Sequence, residues 1–183
     1  MPFIETGIDG LLLFEPKVFG DERGYFYEAY NARTFREEAG ITADFVQDNQ
    51  AFSTYGVLRG LHYQLDEFAQ AKLVRVLQGE VLDVVVDIRA DSPSFGQTYS
   101  CVLSEKNLRQ LFVPRGFAHG YVVLSQSAMF FYKCDNYFTR SHEAGIRPDC
   151  PHLNIDWQIP WKDAILADRD KNWPVFGQHR QHF

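Results

Sequence analysis

The chain has 183 residues, 45% of them hydrophobic and 23% charged, a balance that excludes a disordered polymer and suits one domain, 1–183, with a sizeable core. Its net charge of -6, from 18 basic and 24 acidic residues, excludes a protein built mainly to grip nucleic acid, which calls for a basic field. No run approaches the ~18 apolar residues of a membrane span, and Met1-Pro2-Phe3-Ile4-Glu5 lacks the basic-then-apolar order of a signal peptide.

The expected partners therefore include neither nucleic acid nor membrane. The cysteines, Cys101, Cys134 and Cys150, are odd in number and form no Cys-x-x-Cys pair. That argues against a disulfide framework or a structural zinc site, and the reducing cytoplasm is the expected setting.

Strand signals begin at Leu11–Phe14, which ends before Pro16, and continue through the aromatic alternation of Gly24–Tyr30. A helix is predicted over Ala32–Ala39, with Asn31 as its N-cap and Gly40 as its stop. Further strands are expected at Phe45–Gln50, around Gly60, at Leu73–Leu77 and at Val81–Ile88, the last two flanking a hairpin signal at Gln78-Gly79-Glu80. Tyr99–Leu103, Gln110–Val113, Gly120–Leu124 and Ala128–Cys134 complete the set. Short helical turns are predicted at Ser104–Asn107 and Trp161–Leu166, and the last third reads as loops wrapping the sheets. Many short strands with frequent turns indicate a sandwich or barrel.

Five regions carry candidate chemistry. Gly60 inside a strand pattern predicts a bulge, which would turn Arg59 and His62 toward one pocket where strict alternation would separate them. Lys72 opens an apolar strand and suits an ammonium aimed at a developing oxyanion, though a solvated strand-end lysine has the same pattern. Asp83 and Asp87 interrupt a valine-rich run on one face and need partners or solvent. Tyr132 is either a core aromatic or a proton donor facing a lumen. Asp170 is either a solvated loop charge or a carboxylate folded back onto His62. A base, a cation for an oxyanion and a phenolic acid together suit proton abstraction beside a carbonyl.

Pro114-Arg115-Gly116-Phe117-Ala118-His119 resembles the second half of the cupin metal signature. The first half has only one histidine, in His62-Tyr63-Gln64, and Val123 stands where another ligand would be needed. No metal site is therefore predicted. Arg23, Arg59 and Arg115 offer forked donors for a diphosphate. No Walker loop or Gly-x-Gly-x-x-Gly precedes a helix.

The chain is similar to the dTDP-4-dehydrorhamnose 3,5-epimerases, the third enzyme of dTDP-L-rhamnose synthesis, a route of polysaccharide biosynthesis. The resemblance runs through Glu15–Gly24, Phe45–Asn49, Leu58–His62, Gly79–Val81, Pro114–Gly120 and Tyr132-Lys133. It implies an all-β, cupin-like jelly roll (a double-stranded β-helix barrel) with a few short helices, a homodimer, and no metal or organic cofactor. It implies His62 as general base, Asp170 as its dyad partner, Lys72 at the enolate oxygen, and Tyr132 as the acid on the opposite face. Arg23, Glu28, Gln47, Asn49, Arg59, His119, Phe138 and Glu143 would hold the nucleotide sugar.

The sequence departs from the family at Pro148, Cys150, Phe138 and Ala167, positions expected around the ligand and its closing loop. Three other readings stay open: a single-carbon C3 or C5 epimerase, an enzyme for a CDP- or GDP-linked sugar, and a non-catalytic sugar-binding cupin.

Overall fold

Two sheets face each other, and their shared interior forms the main core. The computed structural model describes residues 2–180. In chain order the strands are β1 (Phe3–Glu5), β2 (Leu12–Phe14), β3 (Phe19–Asp21), β4 (Gly24–Phe26), β5 (Gln47–Thr54), β6 (Val57–Gln64), β7 (Lys72–Gln78), β8 (Glu80–Asp87), β9 (Thr98–Ser104), β10 (Gln110–Val113), β11 (Phe117–Val123), β12 (Ser127–Cys134), β13 (Glu143–Gly145) and β14 (Ile165–Leu166). Helix α1 spans Ala32–Ala39 and the one-turn α2 spans Asp168–Lys171.

The first sheet runs β1-β2-β10-β7-β12-β5 and the second β13-β6-β11-β8-β9, with β14 added alongside β6. The pairing is antiparallel except for β14 on β6, which is parallel. This is a jelly roll, as the resemblance implies.

Period-two alternation divides the side chains. Val74, Val76, Val81, Val85, Tyr121 and Phe130 point inward to fill the barrel. Leu58, Leu82, Val84, Val86 and Val122 point outward from the second sheet, against Ile146, Cys150, Leu153 and Trp157 of the C-terminal segment. The outer face of the first sheet is covered by α1 through Phe35, which packs near Phe14, Leu73 and Phe112.

Helix α1 lies where the sequence puts it. Asn31 Oδ1 accepts from the Arg33 and Thr34 amides at 3.0 and 3.4 Å, and Gly40 closes the helix at φ 67, a left-handed conformation that glycine adopts without a Cβ penalty.

Several expectations are corrected. β7 and β8 do not pair as a hairpin: β7 lies between β10 and β12, and β8 between β11 and β9. The chain passes from one sheet to the other at Gly79, where a Cβ would lie 2.1 Å from the Ser127 carbonyl oxygen. The Gly24–Tyr30 strand ends at Phe26, and the Phe45–Gln50 strand begins at Gln47 and runs to Thr54. Ser104–Asn107 forms a turn rather than a helix, because Ser104 and Asn107 bond each other's backbone amides, both at 3.1 Å. Trp161–Leu166 divides into a 3-10 turn, Trp161–Asp163, and strand β14.

The bulge at Gly60 is present. His119 opposes His62 and Tyr121 opposes Arg59, so one residue of β11 spans two of β6. The close approach needs glycine: Gly60 has φ +137, and a Cβ there would lie 2.6 Å from the Gly120 Cα.

Candidate active site

The bulge turns Arg59 and His62 toward the same cavity, as the sequence predicts. The cavity has a volume of about 410 Å³ and is lined by Arg59, His62, Lys72, His119, Tyr121, Tyr132 and Asp170, with an apolar side formed by Val57, Ile165 and Ala167. A second lobe of about 320 Å³ shares His62, Lys72, Tyr132 and Arg169 and adds Gln47, Asn49, Phe138 and Glu143. All four predicted catalytic residues therefore meet in one place.

His62 belongs to the second sheet, near the end of β6 rather than at its head. Its partner arrives from 108 residues away: Asp170 Oδ1 lies 2.6 Å from His62 Nε2. Strand β14 makes this possible by pairing Ile165 with Val57 and Leu166 with Leu58, which anchors the chain beside β6 just before α2. The Asp170 side chain is 2% exposed. Burial pushes its carboxyl up, but the His62 hydrogen bond and charge, then Arg169 and the Gly60 amide, outweigh burial and hold it below the usual carboxylate range.

Lys72 and Tyr132 belong to the first sheet, on β7 and β12, and point into the same lumen. The ammonium stands 5.9 Å from the Tyr132 ring centroid. Burial lowers the Lys72 pKa, against the opposing charges of Cys134, Asp83 and Glu143. Burial also pushes the Tyr132 phenol up to about 12, so the group keeps its proton at neutral pH.

A second carboxylate–imidazole pair sits deeper. His119 Nε2 is 3.0 Å from each oxygen of Asp83, which is fully buried. The solvated reading of Asp83 is therefore excluded. Burial raises its pKa, against the His119 charge and hydrogen bond. Asp87, on the same strand face, is held by Arg89, Ser92 and Ser94. Both His62 and His119 turn Nε2 to a carboxylate, an arrangement unlike a shared metal site.

At the rim, Gln47 Nε2 donates to Asn49 Oδ1 at 3.0 Å, and Gln47 Oε1 accepts from the Phe138 amide at 3.1 Å. Glu143 accepts from Arg169 Nη1 at 2.9 Å, and Arg59 Nε donates to Ser53 Oγ at 3.1 Å.

Arg23 and Glu28 are not brought to the cavity of their own chain. Arg23 sits on the β3–β4 hairpin, paired with Asp21 at 2.5 Å, and that hairpin forms a separate two-stranded sheet. Glu28 lies just beyond it, in a different hollow with Phe19 and Phe26. Arg115 pairs with Asp135 at 2.9 Å, also away from the cavity.

Two of the departures prove structural. The carbonyl of Pro148 accepts from Trp157 Nε1 at 2.9 Å, and buried Cys150 accepts from the Phe176 amide at 3.3 Å. Phe138 and Ala167 do line the two lobes. Arg169, Tyr121 and Trp173 were not singled out from sequence; a Gly145 that leaves room for a ring, and a tryptophan three residues after Asp170, are the signals that mark the last.

The family profile described as dTDP-4-dehydrorhamnose 3,5-epimerase matches residues 5–178. The chain belongs to the dTDP-4-dehydrorhamnose 3,5-epimerase family. It is 53% identical over 178 residues to a protein of that name from Salmonella typhimurium, covering 97% of each chain. It is 51% identical over 176 residues to one from Shigella flexneri, covering 96% of each. A crystal structure of dTDP-6-deoxy-D-glucose-3,5-epimerase from Legionella pneumophila, in complex with dTDP-4-keto-L-rhamnose, superposes with a TM-score of 0.94 at 46% identity, covering 99% of this chain and 97% of that one. The epimerase fold shared with these proteins is the cupin-like jelly roll.

Proposed function

We propose that this epimerase acts on dTDP-4-dehydro-6-deoxy-D-glucose and inverts C3 and C5 to give dTDP-4-dehydro-L-rhamnose. The observation that carries the reading is His62 on one sheet, paired with the buried Asp170 of α2 and facing Lys72 and Tyr132 on the other sheet. His62 takes the proton from the carbon beside the C4 ketone. The C–H electron pair moves into the ring carbon–carbon bond, and the carbonyl pair moves onto the C4 oxygen. Lys72 stabilises that enolate; a preorganised charge or donor of this kind is typically worth about 2.7–4 kcal/mol.

Tyr132 then protonates the same carbon from the other side, which inverts it, and regains its proton from solvent while His62 releases its own. The Tyr132 phenol, kept protonated by burial, suits that role. Asp170 fixes the His62 tautomer and steadies the imidazolium, as the carboxylate does in a hydrolase triad. Arg59, His119, Gln47, Asn49, Phe138 and Glu143 hold the sugar, diphosphate and thymidine.

The reading extends to a single domain over 1–183, a cytoplasmic setting in polysaccharide biosynthesis, and a homodimer. The dimer is supported by Phe19, Tyr25 and Phe26, which are 54%, 62% and 69% exposed on the β3–β4 hairpin, beside Arg23 and Glu28. Light scattering checks it: a monomer at micromolar concentration removes it.

The activity test is incubation of the substrate in heavy water, with deuterium read at C3 and C5 by NMR. Incorporation at both carbons is expected. Incorporation at one makes the enzyme a single-carbon epimerase. None at either, with folded protein, removes this substrate and turns the search to CDP- and GDP-linked keto sugars.

A further inference from the structure

Asp170 Oδ1 has more than one donor. Besides His62 Nε2 at 2.6 Å, it receives the indole Nε1 of Trp173 at 3.3 Å, with Arg169 Nε at 3.4 Å. A carboxylate turns easily about its last torsion, because sp³–sp² rotations are broad. The Gly60 amide reaches the other oxygen, Oδ2, only at 3.5 Å, beyond the ordinary N–H···O range, so the short bond to a mobile ring still leaves the pair room to rock together. A further donor from fixed structure, on the oxygen that holds His62, stops that motion.

Trp173 has the properties of such a donor. Its N–H can only donate, so it has no competing acceptor role. Its ring stands edge-on to the His62 imidazole, with centroids 6.3 Å apart and planes at 72°, so it also walls the ring it helps to orient. Space for the indole comes from β13. Gly145 pairs with His62 across the β13–β6 ladder, and a Cβ on it would lie 2.6 Å from both Cε2 and Nε1 of Trp173. Arg169 is a poorer anchor: it is 54% exposed and its shorter contact is with Glu143, at 2.9 Å.

We propose that Trp173 is a positioning residue for proton abstraction: its indole N–H locks the Asp170 carboxylate, and through it the His62 ring, in the orientation that presents the base to the substrate. The proposal rests on the reading of His62–Asp170 as the abstracting pair.

The test is Trp173→Phe, which keeps an aromatic wall and removes the N–H. Two readouts are needed. The first is deuterium exchange into substrate, where kcat should fall about tenfold, as loss of one hydrogen bond to a charged group implies, with KM within twofold. The second needs no substrate: the low-field proton resonance of the His62–Asp170 hydrogen bond, assigned by its loss in Asp170→Asn, should broaden or move. A merely structural role for Trp173 would lower the melting temperature and leave that resonance in place. An unchanged resonance overturns the proposal whatever happens to kcat, and so does a kcat within twofold of wild type. Should the wild-type protein turn over no keto sugar, the functional reading fails, while the resonance still decides the part played by Trp173.

Discussion

Replacing Asp170 by Asn removes one charge and alters almost no volume. In the native site the carboxylate lies 2.6 Å from His62 Nε2 and is 2% exposed, so solvent screens it little. With charge centres ~4 Å apart and an effective dielectric of ~20, the attraction between carboxylate and imidazolium is about 4 kcal/mol. That attraction exists only once His62 has taken its proton, so it lowers the barrier to abstraction and is worth about three powers of ten in rate. The tautomer changes in the same direction. The carboxylate can only accept, so Nε2 carries the hydrogen and Nδ1 is left as the basic nitrogen. An amide can present its NH₂ to Nε2 instead, which puts the hydrogen on the wrong nitrogen. The expected result is a fall in kcat of about 10³-fold, with KM altered by no more than a few-fold and the melting curve close to wild type. The assay is the initial rate of deuterium incorporation at C3 and C5. A loss under tenfold in folded protein would refute the electrostatic argument and reduce Asp170 to a packing residue.

Lys72→Arg keeps the cation in a planar fork that does not deprotonate. Because burial lowers the Lys72 pKa below its ordinary 10.5, an activity that needs the ammonium declines on the alkaline side earlier than for an exposed lysine. The variant should have a lower plateau and a basic limb moved to higher pH in a kcat/KM profile; an unmoved limb would assign that limb to another group. Tyr132→Phe should slow inversion more than loss of the substrate proton to heavy water, and equal effects on both rates would argue against an acid role. Asp87 provides a stability test. Burial pushes its carboxyl up, but Arg89, Ser92 and Ser94 outweigh burial and hold it at about 2. A depressed carboxylate stabilises the fold above its unfolded pKa, here 3.8, and that contribution is lost as pH falls toward 2. Denaturant melts should show Asp87→Asn costing roughly 2 kcal/mol at pH 7 and much less at pH 2; an equal cost at both would exclude the charge as the cause.

What the sequence revealed follows the range of the forces involved. Helix α1 was legible to the residue, because Asn31, Phe35 and Gly40 act within a few positions of one another. The bulge was legible for the same reason: Gly60 breaks an alternation that Leu58 and Arg59 begin. The β7–β8 connection was misread because periodicity tells which side of a strand is buried and not which strand lies beside it. Both strands are buried on one or both faces, so either pairing satisfies the pattern. Asp83 stays open in the sequence for that reason too, and only its place on β8 beside β11, where it meets the His119 imidazole at 3.0 Å, decides it. The residues leave Asp170 open between a solvated loop charge and a carboxylate on His62, and only the resemblance chooses the second. The element that creates the contact is a two-residue strand, Ile165–Leu166, too short to leave a signal. Trp173 was missed because its contacts depend on that same docking. Arg23 and Glu28 come to the site from resemblance alone, and this fold holds the β3–β4 hairpin and the residues just after it away from the cavity of the same chain.

The two-sheet architecture bears directly on stereochemistry. Residues that share one sheet face can reach only one side of a flat intermediate. Here the candidate base belongs to the second sheet, in register with His119 across β6 and β11. The candidate acid belongs to the first, in register with Asn49 across β12 and β5, and Lys72 opposes Cys134 on the neighbouring strand pair. On the proposed reading, an enolate lying between the sheets would have His62 on one side and Tyr132 on the other, with the ammonium near the Tyr132 wall. Inversion of both carbons would then ask of the sugar ring that it offer each in turn to the same pair. The bulge at Gly60 is what the arrangement requires of the backbone. Without the extra residue, alternation would send either Arg59 or His62 to the outer face, where Leu58 and Leu61 pack against Ile146 and Trp157. The base or the nearby cation would be lost from the lumen, and the second wall of the site would keep only one of the two to set against Tyr132.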